Sequence, residues 1–361
     1  MLGRYTIGRD VPLSFFILFM EIDMATTRLS DLIIPSVYAA YSQSRTKELT
    51  AVVQCGALQP SSELDQFLAG GGSTINLPAF KDLDRNDAED VASDDPATLS
   101  TPSNIGTVSE IAVRLTRNKS WGSMDINKIL TNEDPVKAML SLTSGYWAAR
   151  LQRIFLAVAA GVAANNALAT DVYHVQNDML VNIAGASFTN NTTNFSTSAF
   201  IDAQHTMGDA QGDLSLVCVH SIVFARMRKL QLITFVQDAT NPAAVGIPFY
   251  NGRLVIVDDN MPNTAGVFDS YLFSLGSFRL GMGMAPMPVE FDRVAGAGNG
   301  SGQDIFWLRK VLSVHPVGYK WIGTTPAGGP SNANLATAAN WQRAYPERKQ
   351  IGMAILRTRE F

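Results

Sequence analysis

The chain has 361 residues, 46% hydrophobic and 17% charged, a globular composition that excludes wholesale disorder. Its formal net charge is −4, and no run of Lys and Arg could neutralise a row of phosphates, which excludes a tight grip on nucleic acid. The two cysteines, Cys55 and Cys218, lie far apart in apolar surroundings. Neither a disulfide framework nor a zinc site is expected, and the pattern fits folding in a reducing cytoplasm.

Val11 to Met20 is an apolar run preceded by Arg4 and Arg9, too short to span a membrane. It has the length of a signal-peptide core, but Glu21-Ile22-Asp23 follow in place of a small-residue cleavage site. The codons of Met20-Glu21 would resemble a ribosome-binding site ahead of Met24. Residues 1–23 are therefore expected to be a misplaced start or a leader, and they are set aside from the fold. Residues 24–72 read as a partly extended arm. It holds one short amphipathic helix, in which Ile33, Ile34, Val37, Tyr38 and Tyr41 recur at helical spacing near Pro35. Gly70-Gly71-Gly72 then breaks the chain.

A strand pattern opens at Thr74 and runs to Phe80. The stretch after it carries Asp82, Asp84, Asp87, Glu89, Asp90, Asp94 and Asp95 with almost no large apolar residues. It cannot bury a core, so a solvated tip or a contact to another chain is expected. The return strand is Ser109 to Thr116, where Ile111, Val113 and Leu115 alternate with Glu110, Ala112 and Arg114. Together these predict a long projecting hairpin.

Asp134-Pro135 is a helix start, with Asp as N-cap and Pro at the first helical position. Met139, Trp147, Leu151, Ile154, Val158 and Val162 follow at three- and four-residue steps and predict one long helix over 134–165 with a single apolar stripe. Residues 166–290 alternate helix and strand: a helix at 197–210, a strand at 214–219, a helix at 221–232, a hairpin turn at Asn251-Gly252, and strands at 254–257 and 270–275. This reads as one α/β unit. A Gly-rich loop, Ala295 to Gly302, leads to the longest strand pattern, Ile305 to Pro316. That strand is expected to pair with the returning hairpin strand and lie under the long helix, which makes the α/β unit an insertion.

Few motifs could carry chemistry. Asp82-Leu83-Asp84-Arg85-Asn86-Asp87 resembles the start of a calcium loop, but Asp87 replaces the required Gly and Ser93 stands at the twelfth position, so no metal is expected there. Asp258-Asp259 after a strand could be paired catalytic carboxylates, against the commoner reading of a strand-ending turn. His174, His205, His220 and His315 show no metal-ligand spacing, and Cys218 with His220 lacks further ligands. Glycines 296, 298, 300 and 302 follow a strand but open no helix, so the phosphate-cradling arrangement is missing. Trp121, Trp147, Trp307, Trp321 and Trp341 read as core and contact anchors.

An ordered series of segments gives the chain a family likeness. These are Leu32 to Tyr38, Gly70 to Pro78, Trp147 to Arg150, Val219-His220-Ser221, Ile256 to Pro262, Val314 to Gly318, and Asn334 to Trp341. In this order the chain resembles the tailed-bacteriophage major capsid proteins of the HK97-like fold. The resemblance implies an α+β fold: an arm at 24–72, an extended loop (E-loop) at 73–120, a peripheral domain with the spine helix from 121–165 and 291–325, an inserted axial domain at 166–290, and a C-terminal segment at 326–361. It implies a non-enzymatic shell subunit without cofactor, forming hexamers and pentamers of an icosahedral head around double-stranded DNA. It further implies assembly in the host cytoplasm, possible portal, scaffolding and decoration partners, non-specific contact with DNA, and no membrane. The stretch between Met24 and the hairpin is too short for a fused scaffolding segment, so any scaffold is expected to be separate. Some relatives crosslink through Lys and Asn; Lys81 is the lysine nearest the right place, and crosslinking is not expected. Intersubunit contacts are expected from Lys81, Asp82, Asp84, Arg85, Asp87, Glu89, Asp90, Asp94 and Asp95. Two alternatives stay open: an encapsulin-like compartment shell, and a hydrolase using Asp258 and Asp259.

Overall fold

The computed structural model describes residues 56–83, 88–100, 102–131, 134–236 and 246–361. The arm helix expected around Ile33–Tyr41, the leader and Cys55 lie outside the described residues.

Three sheets surround one long helix, α3 (Pro135–Asn166), which follows the short helix α2 (Asp125–Thr131). The first sheet is built on β14 (Gln303–Pro316). Along one edge it pairs with β4 (Leu115–Met124), in register from Leu312↔Leu115 to Gln303↔Met124. Along the other edge it pairs in tandem with β12 (Phe278–Gly283) and β13 (Val289–Val294), and β1 (Leu58–Pro60) adds parallel to β12. Helix α1 (Ser62–Ala69) covers β12 through Leu64 and Leu68, which lie close over Gly281 and Gly283.

The second sheet has eight strands, in the order β5 (Leu180–Asn182), β17 (Met353–Arg359), β11 (Val267–Ser274), β6 (Leu214–Val219), β9 (Arg253–Val257), β8 (Ile247–Tyr250) and β7 (Thr234–Val236), with β10 (Asn263–Thr264) against β11. Alternate residues enter different cores, as the strand period of two requires. Leu216, Cys218, Tyr271, Phe273 and Ile355 join the core around α3. Val217, Val219, Leu272, Ala354 and Leu356 join a second core with Phe200 of α4 (Thr197–His205) and Val223 and Met227 of α5 (Ser221–Lys229). Asn251 and Gly252 take φ of 48° and 73° and close the β8–β9 hairpin, the left-handed pair that a two-residue turn demands. The third sheet, β16 (Trp341–Arg343), β15 (Tyr319–Trp321), β3 (Thr107–Val113) and β2 (Thr74–Phe80), joins the hairpin to the body.

Helix α3 starts as the sequence predicts: the Asp134 carboxylate accepts the Val136 N–H at 3.1 Å, and Pro135 follows it. Its single apolar stripe is corrected. Between 135 and 150 no residue is fully buried, whereas Gln152, Ile154, Phe155, Leu156, Val158, Ala159, Gly161 and Val162 are buried on successive faces. The second half threads between all three sheets. Phe155 packs edge-on against Phe273 at 5.6 Å and Phe278 at 4.7 Å, and Gly161 lies beneath Leu335 and Trp341. Leu151, expected in the stripe, is only partly buried.

Other expectations are corrected by strand partnership. The return strand is not continuous: Arg114 leaves the ladder between β3 and β4, its guanidinium donating to the carbonyls of Phe67 at 3.1 Å and Gly70 at 2.6 Å. β14 does pair with the end of the expected return strand, at Leu115 and Thr116, and continues along β4 to Met124, but it forms no ladder with β3. The α/β unit is not confined to 166–290. β12 belongs to the sheet of β14, while the C-terminal β17 inserts between β5 and β11. The segment 326–361 is therefore no separate tail. Arg357 of β17 holds Asp269 of β11 with bonds of 2.6 and 2.8 Å, directly opposite in register. The helix expected over 197–210 stops at His205, and a 3₁₀ turn follows from Gly208 to Asp213.

Candidate intersubunit surface

The hairpin leaves the body as a two-stranded ladder from Thr74↔Val113 to Phe80↔Thr107, extended by one bond from the Lys81 N–H to the Gly106 carbonyl at 2.9 Å. Ser73 accepts from Arg114, and Lys81 donates to Gly106, so the odd residues of β2 face β3 and the even ones face outward. Pro78 thus sits where its missing N–H is harmless, and it blunts this free edge against further strand pairing.

Beyond the ladder the described residues form no strand or helix, and all of 88–100 are exposed. Local bonds shape them. Asp90 accepts from the Ser100 hydroxyl at 2.6 Å, and Asp95 accepts from the Ala97 N–H at 2.9 Å. Lys81, Asp82, Glu89, Asp90, Asp94 and Asp95 are all exposed along this segment. Asp84, Arg85 and Asp87 lie outside the described residues. Sequence reading missed the large apolar side chains among the acids. Phe80, Val91 and Leu99 are 73%, 88% and 83% exposed. Their signal was their isolation: single apolar residues in a polar run, with nothing local to cover them.

At the hairpin root the strand alternation places Glu110 on the polar face, yet it is 1% exposed. One carboxylate oxygen accepts from His315 Nε2 at 2.8 Å, the other from the Gly318 N–H at 3.1 Å, and the Tyr345 hydroxyl bonds to it as well. Burial pushes the Glu110 carboxyl up. The bonds from His315, Tyr345 and Gly318 outweigh that and hold it below its ordinary range.

A second surface lies where the first half of α3 crosses the β14 sheet. Tyr146 stands edge-on to Trp121 at 5.3 Å, and Trp121 stacks on Phe306 at 5.2 Å. Cations share this face. Lys310 stands opposite Arg117 in register, Lys119 lies two residues along β4, and Arg150 on α3 is close enough to act on Arg117. Burial first, and Arg150 second, pull the Arg117 guanidinium below its ordinary range. Like charges facing each other across strands repel. Val289 and Phe291 on β13, opposite Leu308 and Phe306, are exposed beside them.

At Asp258-Asp259 the structure has the strand-ending turn, the commoner of the two readings, with the Met261 N–H bonded to the Asp258 carbonyl. The Asp258 side chain is buried, accepting the Asn260 N–H at 2.8 Å, its side-chain amide at 2.9 Å, and the Gln152 amide of α3. Asp259 is exposed. Asp258 ties the turn after β9 to the long helix, and the two acids share no site. His220 caps α5 by accepting the Ile222 N–H at 3.2 Å, and Cys218 is buried against Met261. Among the described residues no three His, Cys, Asp or Glu side chains converge to hold a metal. The tryptophans act as packing anchors, as with Trp321 edge-on to Trp341 at 5.1 Å.

No family model matches the chain. It is 34% identical over 339 residues to the major capsid protein of Bacillus phage SPP1, covering 90% of this chain and 96% of that one. Among solved structures it is similar to the capsid of Ralstonia phage GP4, with a TM-score of 0.58 at 10% identity over 96% of this chain and 98% of the other. It is also similar to the cyanophage Pam1 capsid asymmetric unit, with a TM-score of 0.55 at 12% identity over 91% and 98%. These two likenesses are of fold. A relative matched along nearly its whole length, on a fold shared with capsid subunits, means that the chain belongs to the family of phage major capsid proteins.

Proposed function

We propose that many copies of this chain assemble into the hexamers and pentamers of an icosahedral, HK97-like phage head enclosing double-stranded DNA. The observation that carries this reading is the near full-length match to a major capsid protein. In this reading residues 24–72 are the arm and 73–120 the E-loop. The β14 sheet with α3 is the peripheral domain, and the eight-stranded sheet, β17 included, is the axial domain. The chain acts by geometry and not by catalysis. The hairpin laps a neighbouring copy and buries apolar surface that the single subunit leaves in water; obligate interfaces of this kind can exceed about 2,000 Å². Lys81, Asp82, Asp84, Arg85, Asp87, Glu89, Asp90, Asp94 and Asp95 are its contact residues. The cationic face of Arg117, Lys119, Lys310 and Arg150 complements the acids in sign and would fix the register of the lap. A net charge of −4 suits an inner wall that touches packaged DNA without gripping it. Assembly would take place in the host cytoplasm, with portal, scaffolding and decoration proteins as candidate partners.

The test replaces residues 82–95 with a short Gly/Ser linker. The expected result is a soluble subunit with unchanged far-ultraviolet circular dichroism that forms no closed shells in negative-stain micrographs. Unfolding of the variant would place the segment in a core, and shells of normal yield and stability would remove its contact role.

A further inference from the structure

The root of the hairpin holds a group that neither the lap nor the packing of the body accounts for. Glu110 is a fully buried acid on β3, and toward the tip from it Ser109 and Thr107 are exposed. Its donors come from two separate stretches of chain: His315 near the end of β14 with Gly318 in the turn after it, and Tyr345 beyond β16. The Gly318 carbonyl in turn accepts the Ala344 N–H at 2.7 Å, which locks the two stretches together. A carboxylate can only accept, so His315 Nε2 carries a hydrogen and donates it to Glu110. The acid is thus an acceptor held by fixed donors, with the hairpin strand as its stem.

An apolar cluster replacing the acid and its donors together would fill this space at little cost in stability, because buried polar clusters often break even against hydrophobic replacements, whereas removing the acid alone orphans its donors. What an apolar group cannot do is fix direction. Three donors that converge on two oxygens admit one orientation of β3, whereas methyl groups admit many. β3 meets β15 in register only at Ile111↔Lys320, and the other polar anchor of the root is Arg114 at the base of the strand, bonded to Phe67 and Gly70.

We propose that Glu110 is the positioning residue of the hairpin: its carboxylate, held by His315, Gly318 and Tyr345, sets the angle at which the hairpin leaves the body and so governs whether shells close. The inference rests on the reading of the hairpin as the lapping element.

The test uses the full chain with Glu110→Gln and Glu110→Leu, and with Ser109→Ala as an exposed neighbour. Gln places an amide NH₂ where one accepting oxygen stood and loses one donor; Leu loses all three. Spin labels at position 97 on the hairpin and at an exposed position on α5 report the distance between hairpin and body. Both Glu110 variants are expected to keep the circular dichroism of the parent while the distance distribution broadens, Leu more than Gln. Closed-shell yield is expected to fall by about tenfold or more in Glu110→Leu, the equilibrium equivalent of one hydrogen bond to a charged group. Ser109→Ala leaves both readouts unchanged. An unbroadened distance distribution in Glu110→Gln overturns the proposal, whether or not Glu110→Leu folds. Broadening with shells of full yield overturns it too. Failure of the lapping reading looks different, because the linker variant of residues 82–95 would then assemble normally.

Discussion

Two glycines in the same helix should respond to the same substitution with opposite signs. At Gly145, on the half of α3 without fully buried residues, an added methyl meets nothing within 4 Å. Gly145→Ala should stabilise the subunit by about 1 kcal/mol, the helix-propensity difference. At Gly161 the methyl would fall 2.6 Å from Trp341 Nε1 and 2.9 Å from its Cδ1, and closer still to the Leu335 carbonyl oxygen. The same propensity gain applies, but overpacking costs about 1–3 kcal/mol. The Trp341 Nε1–H bond to Leu335, 2.7 Å long, would also be displaced, at a cost of about 1 kcal/mol. The net for Gly161→Ala is a loss of about 1–3 kcal/mol, so the variants should separate by about 2–4 kcal/mol. Urea unfolding of unassembled subunits measures this as midpoints displaced in opposite directions at unchanged slope. A Gly161→Ala midpoint at or above that of the parent would refute the close packing of the C-terminal segment on α3.

Further outcomes follow from the buried acids. Asp258→Ala should destabilise the subunit by about 1–3 kcal/mol by removing the buried acceptor that Gln152 and Asn260 share, while Asp259→Ala should stay within about 0.5 kcal/mol; equal losses in thermal unfolding would contradict the structural role of Asp258. The folded-state carboxyl of Glu110 is held below its ordinary value, so its bonds contribute fully above the unfolded-chain value of about 4.3 and are lost as pH falls through the lower folded value. The stability gap between the parent and Glu110→Gln should therefore shrink as pH falls through the carboxylate range; a gap that widens over that range would contradict the assignment.

What the sequence disclosed was what local chemistry decides. Asp134-Pro135 marks the start of α3 because an N-cap and a first-position proline act within one turn. The strand at 214–219 and the Asn251-Gly252 turn were legible for the same reason. Partnership across long separations was not. β12 and β11 have similar apolar patterns, yet one joins β14 and the other joins β17. Nothing in 353–359 marks it as the neighbour of a strand some eighty residues earlier until Arg357 is seen opposite Asp269. The single stripe expected on α3 failed because that pattern assumes one covered face, and this helix is covered by three sheets. Leu151, which the pattern made a core position, is a weaker site for a disruptive charge than Phe155. Glu110 was illegible because a polar residue in alternation normally faces water, and its donors arrive from residues 315, 318 and 345.

The hairpin was half legible, and the two halves play different parts. Its acids announced a segment without a core, but exposed carboxylates add little affinity, and their attraction is screened by salt. Phe80, Val91 and Leu99 went unnoticed, yet each would contribute about 1.5–3 kcal/mol when buried against another copy. Affinity of the lap should therefore reside in these three side chains and register in the acids. Truncating the three to Ala should then raise the subunit concentration needed for assembly at every salt concentration, as light scattering would report. Changing Glu89, Asp90, Asp94 and Asp95 to their amides should shift that threshold much less and chiefly flatten its dependence on salt. A threshold that moved more for the amides than for the alanines would reverse the assignment and make the lap an electrostatic contact.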